Sequence, residues 1–439
     1  MKIFKKDTPF YKSEGFIKCI ASILCVIASI LICLIVLFIL DASNGCENVI
    51  SEFNVMLSGG LTYSGAQGFF DILNKTAPLL CCGLAICFAY KTGMFNIGAA
   101  GQYVLGMFGG LLFALKFNCH WSVCLIMATL FGALWGAIPG ILKALFNVSE
   151  VIGGIMLNWI GLFFVNYSWQ TYLRDCLDGT KGYKTYSILS KSAHIPEITF
   201  SSGNTLSITI IFALIVCFLV WFIMKHTTLG FELKASGLNK EATRYAGMNE
   251  KRNIILAMAI SGALAGLGGG LYYLSGISQW EGTASTALPG VPWNGIVVAF
   301  IGQINPIGTA VASFFISFIS EGANFMTQSI FPTEVADLIT GIIVYLSGLS
   351  TFIVGLIMTR SNNKRIEELM SRLKEHHEKL KQSIKERHDK IKQKFSKNKN
   401  EEISLDSNKN NLDTNLDNLP DVEDIDLINS KDTKEEEDK

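Results

Sequence analysis

The sequence has few charged residues over most of its length. Residues 1–360 contain 20 Lys/Arg and 17 Asp/Glu, or about one charged residue in ten, whereas soluble domains average roughly one in four. This scarcity excludes an ordinary cytosolic enzyme and is typical of a membrane protein. Residues 361–439 hold the other 17 Lys/Arg and 20 Asp/Glu in only 79 positions, a composition too polar to build a core.

Motifs that carry chemistry are missing as well. The chain has no GxxxxGK[ST] phosphate loop, no HExxH motif and no nucleophile–base pair. No Cys/His spacing resembles a metal site, and no chain of carboxylates suited to proton coupling runs through the apolar segments. We therefore expect a protein that is not an enzyme and that has no metal or cofactor. If it moves a solute uphill, a partner must supply the energy.

What the sequence does contain is a series of apolar runs rich in glycine. A bilayer core about 30 Å thick needs roughly 20 apolar residues per helix. The runs predict an all-α polytopic membrane protein with ten spans, or eight if two are re-entrant: 16–40, 76–91, 97–117, 122–146, 150–168, 205–224, 253–274, 291–303, 306–322 and 334–358. The second and eighth runs are short enough to be half-helices. The first has no cleavage site, so we expect it to be retained.

The basic residues predict the orientation. Lysines near the start place the cytoplasmic N-terminus, 1–15, inside, and Arg360 places the end of the transmembrane domain, 16–360, inside too. The basic loop 225–252 is also expected in the cytoplasm. The acidic residues are expected in outer loops: Glu52 and Asp71, beside Lys75, after the first span, and Glu321, Glu334 and Asp337 around a later loop.

The polar tail divides into two parts. Residues 361–399 repeat apolar side chains at heptad spacing and predict a basic cytoplasmic helix that would be a marginal coiled coil. Residues 400–439 are rich in Asn, Asp and Glu and are predicted to be disordered. Either the basic part lies against anionic lipid, or the tail is a solvated segment without a function of its own.

Two glycine ladders have i, i+4 spacing: Gly132, Gly136, Gly140 and Gly262, Gly266, Gly270. Each ladder places its glycines on one helical face, where a neighbouring helix can come close. The ladders indicate either simple close packing or a pair of equivalent helices in two related halves.

Neutral polar residues lie beside breaks in the apolar runs. Broken helices at membrane depth survive where the freed backbone lines a cavity or is covered by protein. Single polar residues of this kind often form interhelical hydrogen bonds, but several without charges favour a pathway for a neutral polar solute. The candidate pathway residues are Asn96, Gln102, Asn158, Trp159, Trp293 and Asn294.

The cytoplasmic loop contains a predicted short helix at Lys240–Tyr245. Asn239 is its expected N-cap and Gly247 its expected stop. Glu241 and Arg244 are spaced i, i+3 and can support the helix. The loop is either a solvated hairpin or a surface patterned for a partner.

This loop resembles a motif of the permease subunits of ABC importers of the branched-chain amino acid/ribose type, closest to the nucleoside branch. The family pattern is G-x-x-L-K/R-A-x-G-x-N-x-x-A-A-x-x-A-G. Phe95–Gln102 is similar to the family's FNIG-x-E-GQ, with Ala100 in place of Glu, and Glu150–Asn158 to its E-V-I-x-x-x-M-L-N. The expected ATPase-coupling residues all fall within the patterned loop: Gly230, Leu233, Lys234, Ala235, Gly237, Asn239, Glu241, Ala242, Arg244, Ala246 and Gly247.

The resemblance implies a subunit of a larger assembly in a bacterial cell membrane. Its partners would be an ABC ATPase subunit, a second permease that is usually a different chain, and an extracellular substrate-binding lipoprotein, with no nucleic acid. The solute would be neutral and polar, and a nucleoside fits best. A sugar or branched-chain amino acid is the alternative within the family. A stand-alone channel or secondary carrier is the alternative outside it, although neither needs a patterned cytoplasmic helix.

Overall fold

The computed structural model describes residues 14–40, 49–58, 61–173, 189–200, 203–280 and 285–326, together with Cys176 and isolated positions between 335 and 385. Residues 1–358 form one unit and residues 359–439 a second. The described elements, in chain order, are α1 (Glu14–Leu40), α2 (Val49–Leu57), α3 (Leu61–Lys91), α4 (Ala99–Leu115), α5 (Trp121–Phe146), α6 (Glu150–Tyr172), β1 (Glu197–Thr199), β2 (Thr205–Ser207), α7 (Thr209–His226), α8 (Thr228–Leu238), α9 (Lys240–Tyr245), α10 (Glu250–Leu274), α11 (Val291–Ile301) and α12 (Pro306–Met326).

The expected all-helical polytopic fold is confirmed. Among the described residues, six helices are long and apolar enough to cross a membrane, namely α3 from Gly65, α5, α6, α7, α10 and α12 up to Phe325. Shorter apolar stretches come from α1, α4 and α11. These nine helices correspond to the first nine predicted spans. The tenth, 334–358, and the heptad helix 361–399 lie largely outside the described residues, and the tail 400–439 lies wholly outside them.

The second span is much longer than predicted, and its description as a half-helix was wrong. α3 begins at Leu61 instead of near residue 76, and it kinks at Gly65, where φ is +55°. The prediction failed because Asp71 and Lys75 were assigned to an outer loop. Both lie inside α3, where neighbouring side chains provide polar partners.

Two small elements had no signal in the sequence. Helix α2 packs against α12 so closely that a Cβ at Gly322 would lie 2.1 Å from the carbonyl oxygen of Met56. The antiparallel hairpin β1–β2 pairs Ile198 with Leu206. It is fixed to the first half of α3, where the side-chain oxygens of Gln67 and Asn74 accept hydrogen bonds from the Thr205 and Ser207 amides at 2.9 and 3.0 Å.

The two glycine ladders form opposite sides of one close contact between α5 and α10. A Cβ at Gly262 would lie 2.4 Å from the Gly132 carbonyl oxygen, and one at Gly266 would lie 2.8 Å from the Gly132 Cα. Helix α4 also packs closely against α10, where a Cβ at Gly106 would lie 2.2 Å from the Gly266 Cα. The close-packing interpretation of the ladders therefore holds, and three helices meet where side chains would keep them apart.

We predict that Gly262→Ala lowers the thermal stability of the purified protein in detergent. The new methyl group would meet backbone that cannot move without shifting α5, and overpacking of this kind costs about 1–3 kcal/mol. A fluorescence melt measures the change. Gly153→Ala is the matched control, because its Cβ would meet only side-chain atoms at 3.9 Å and beyond. Equal melting temperatures for Gly262→Ala and the wild type would contradict the proposed contact.

Candidate solute pathway and coupling loop

The helix break between α3 and α4 is built around Gly93. The Met94 amide donates to the Ala89 carbonyl and the Gly93 amide to the Tyr90 carbonyl, at 3.0 and 3.1 Å. This pair of bonds is the Schellman motif, which ends a helix at a residue in the left-handed region. Gly93 has φ of +73° and can adopt it without a Cβ penalty. The chain then crosses to α4 in an irregular segment, 92–98.

Asn96 lies in this segment and is completely buried. Its amide nitrogen donates to Gln102 Oε1 at 2.6 Å and to Ser261 Oγ at 2.7 Å, and its oxygen accepts from Gln102 Nε2 at 3.0 Å. Ser261 Oγ in turn donates to the Ala85 carbonyl at 2.7 Å. These bonds join α3, α4 and α10. Ser261 was missed in the sequence, where it is a lone serine in a glycine-rich helix.

Asn158 approaches the same break from α6. Its oxygen accepts a hydrogen bond from the Gly101 amide at 2.7 Å, and its nitrogen donates to the Ile97 carbonyl at 3.0 Å. The first amides of a helix have no partner within the helix, so Asn158 satisfies one of them from a neighbouring element. A Cβ at Gly154 would lie 2.8 Å from the Gly98 amide nitrogen, so α6 also depends on glycine to come this close.

The structure therefore brings together three of the six predicted pathway residues, namely Asn96, Gln102 and Asn158, around the start of α4. Trp159 turns away from them and is 42% exposed on the outer face of α6, 6.1 Å from the Phe163 ring. Trp293, 38% exposed, and Asn294 lie in the first turn of α11. The contact of any of the six with solute remains a prediction.

A cluster of charged residues joins two of the spanning helices, α3 and α12. Glu321 is buried in α12 and pairs with Lys75 of α3, and Asp71 lies within electrostatic range of both. Asp71 also accepts a hydrogen bond from Gln67 Nε2 at 2.8 Å. The placement of Lys75, Asp71 and Glu321 in outer loops was wrong. These residues tolerate the helical position because each has a partner on a neighbouring turn or helix. Glu52, also expected in a loop, is buried in α2.

The predicted short helix in the loop 225–252 is confirmed at Lys240–Tyr245 as α9. Asn239 Oδ1 accepts from the Ala242 amide at 3.0 Å, as its predicted N-cap role requires. Gly247 follows the helix with φ of +78°, as its predicted stop role requires. A second helix, α8, precedes it and was missed. The Thr227 hydroxyl caps α8 by accepting from the Gly230 amide at 3.1 Å.

The predicted coupling residues divide by the direction they face. Gly230 and Leu233 are buried, and a Cβ at Gly230 would lie 2.1 Å from the Ile223 carbonyl oxygen. Lys234 and Ala235 are half-buried. The exposed members are Gly237, Asn239, Glu241, Ala242, Arg244, Ala246 and Gly247.

Two large apolar side chains beside these residues were missed in the sequence. Leu238 is 88% exposed and Tyr245 is 90% exposed, the two highest values for large apolar residues in the described part of the chain. Leu238 is the last residue of α8 and Tyr245 is the last residue of α9. Leu229 and Phe231 of the same loop are exposed to a smaller extent, at 38% and 61%. The available signal in the sequence was an apolar residue on each side of the polar segment 239–244.

Residues 68–348 match the family described as branched-chain amino acid transport system / permease component. The chain belongs to this permease family. It is 35% identical to the guanosine ABC transporter permease protein NupP of Bacillus subtilis (strain 168) over 349 residues, which cover 77% of this chain and 98% of that protein. No solved structure is significantly similar to the chain.

Two other relatives extend the comparison. The permease is 33% identical to the nucleoside ABC transporter permease protein NupB of Lactococcus lactis subsp. cremoris (strain MG1363), over 71% of this chain and 86% of that protein. It is 27% identical to the guanosine ABC transporter permease protein NupQ of Bacillus subtilis (strain 168), over 55% of this chain and 77% of that protein. The permease is a transport subunit and not an enzyme.

We predict that Lys75→Met destabilises the permease, whereas the double variant Lys75→Met/Glu321→Met recovers most of the loss. The single change leaves the buried Glu321 carboxylate without its cation and beside Asp71, which costs about 1–3 kcal/mol for a buried group left unpaired. Replacing both charges with apolar side chains removes that penalty. Melting curves in detergent measure both variants. Equal destabilisation by the single and double changes would show that the ion pair contributes nothing.

Proposed function

We propose that the permease is the membrane subunit of an ATP-driven ABC importer that carries a nucleoside into the cytoplasm. The observation that carries this proposal is the 35% identity that extends over nearly all of a guanosine permease. The interior supports a neutral solute, because the polar side chains at the helix break are amides and hydroxyls. Such groups supply paired donors and acceptors without the desolvation cost of charge.

The proposed importer needs partners to supply energy and solute. An ABC ATPase subunit would hydrolyse ATP, and an extracellular lipoprotein would deliver the nucleoside. The second permease would be a different chain, since two permeases of Bacillus subtilis, NupP and NupQ, both resemble this one. Closure of the ATPase pair would then tilt the helices between outward- and inward-facing states.

We propose that both termini and the loop 225–252 lie in the cytoplasm of a bacterial cell, as the basic residues indicate. The loop's exposed face would then meet the ATPase through Leu238 and Tyr245, with Glu241 and Arg244 between them. Exposed aromatic and aliphatic anchors surrounded by polar residues are typical of the energetic centre of an interface. The docking experiment below also tests the orientation, because a cytosolic ATPase reaches only a cytosolic loop.

The six pathway residues remain our proposed solute contacts. In the present structure the amide groups of Asn96 and Gln102 bond to each other, and those of Asn158 bond to the backbone of the break. Solute would therefore compete with internal hydrogen bonds that have to be exchanged during transport. Trp159 and Trp293 would offer aromatic faces for a base to stack on.

We expect cells that lack this chain to lose high-affinity uptake of tritiated guanosine, and a plasmid copy to restore it. Unlabelled adenosine should compete with guanosine, whereas ribose and leucine should not. Depleting ATP should abolish the restored uptake. Loss of leucine or ribose uptake instead would favour the alternative solutes, and uptake that survives ATP depletion would contradict the ABC mechanism in favour of a channel or carrier.

We predict that Leu238→Ala and Tyr245→Ala weaken binding of the ATPase. Truncating an interface anchor costs about 2 kcal/mol, or about thirtyfold in affinity. Purification of the tagged chain from its host, followed by measurement of the ATPase activity retained, reports the loss. Leu214→Ala is the matched control, because Leu214 is also exposed but lies on the spanning helix α7. ATPase retention equal to wild type in both loop variants would contradict the docking surface.

A further inference from the structure

The coupling-loop glycine Gly237 is exposed, yet its backbone also touches the end of a membrane helix. It lies against the turn that ends α3: a Cβ at Gly237 would be 2.4 Å from the Thr92 carbonyl carbon and 2.6 Å from the Gly93 amide nitrogen. In return, a Cβ at Gly93 would be 2.4 Å from the Gly237 Cα. Two backbones thus touch directly, and no side chain lies between them to absorb a movement.

The preceding residue, Ser236, ties the same helix to α10. Asn253 Nδ2 donates to the buried Ser236 Oγ at 2.8 Å and reaches the Glu232 carbonyl oxygen at 3.4 Å. Asn253 is itself buried, in the first turn of α10. Adjacent residues at the end of α8 therefore contact two different membrane helices, one through backbone and one through hydrogen bonds.

Both of these contacts lead to Asn96. Along α3, the turn at Thr92–Gly93 opens the irregular segment that carries Asn96. Along α10, Asn253 precedes Ser261 by eight residues, about two helical turns, and Ser261 accepts a hydrogen bond from Asn96. The contacts form a closed ring, from α8 to the end of α3, through Asn96 to Ser261, and down α10 back to α8.

We propose that Gly237 and Gly93 form the joint through which a movement of the coupling loop reaches the helix break and its buried Asn96. In this proposal Gly237 is a positioning residue that acts through its backbone contact with Gly93, and ATPase binding depends on the exposed residues around α9 instead. This inference rests on the proposed ATP-driven import and adds to it the route of transmission. Close packing makes the ring respond as a unit, because tightly packed contacts shift between discrete arrangements instead of deforming gradually.

The joint predicts a variant that still assembles with the ATPase but transports poorly. Gly237→Ala keeps the exposed face of α9 intact, so the ATPase should still co-purify with the tagged permease from its host. Tritiated guanosine uptake should fall about tenfold, within the range of about 5- to 150-fold that coupling between two sites spans. Leu238→Ala should instead lose the ATPase, and uptake should fall as a consequence. Gly153→Ala is the control and should retain both properties.

Ser236→Ala tests the second arm of the ring with a smaller change. It removes only the hydroxyl that holds Asn253 and introduces no clash, so it separates a transmission defect from a folding defect. Size-exclusion chromatography checks that each variant is folded. An assembled Ser236→Ala variant with reduced uptake supports the joint, including when Gly237→Ala fails to fold.

Three results would overturn the joint. The first is wild-type uptake in a folded, assembled Gly237→Ala variant. The second is loss of the ATPase by Gly237→Ala to the extent seen with Leu238→Ala, which would place the glycine in the docking surface. The third is wild-type uptake in Ser236→Ala. In each of these cases guanosine uptake by the unaltered chain still stands, so failure of the joint is distinguishable from failure of the proposed function.

Discussion

The backbone groups freed by the break between α3 and α4 must find partners inside the protein, because hydrocarbon offers none. Three devices meet this constraint. The Schellman turn at Gly93 satisfies the last carbonyls of α3, and Asn158 of α6 binds the Gly101 amide at the start of α4. Asn96 then links the break to α4 and α10. The helices around the break are held where they are by these bonds.

Short hydrogen bonds across four helices require their backbones to lie close together, which explains the distribution of glycine. Gly154 allows α6 to approach the break beside Gly98, and Gly106 allows α4 to approach Gly266 of α10. Gly132 lets α5 approach the same Gly266 of α10. The polar network and the glycine contacts therefore depend on each other: bulkier residues would lengthen the bonds, and without the bonds the break would leave unsatisfied backbone in the membrane.

Features were predictable from the sequence where the residues that form them are close together in the chain. Helix α9 and its Asn239 cap were predictable because the cap, the helix and the stop lie within nine residues. Lys75 was placed in a loop because its partner Glu321 lies on a distant helix, and an unpaired charge inside a membrane helix is costly. Likewise, the loop motif identified Gly237 as a coupling residue but could not predict what it touches, since its contact with Gly93 is visible only in three dimensions.

Helix α3 takes part in the contacts at both of its ends, which gives it a particular place in the proposed transport cycle. Its first half holds the hairpin through Gln67 and Asn74 and is paired through Lys75 with α12. Its C-terminal end rests on Gly237 of the coupling loop. A movement begun at the loop would act directly on the break. It would reach the Lys75–Glu321 pair only across Pro78, which lies inside α3 between the two points. Asp71 and the Lys75–Glu321 pair thus involve the first half of α3, whereas uncharged amides occupy the break that follows its last residue.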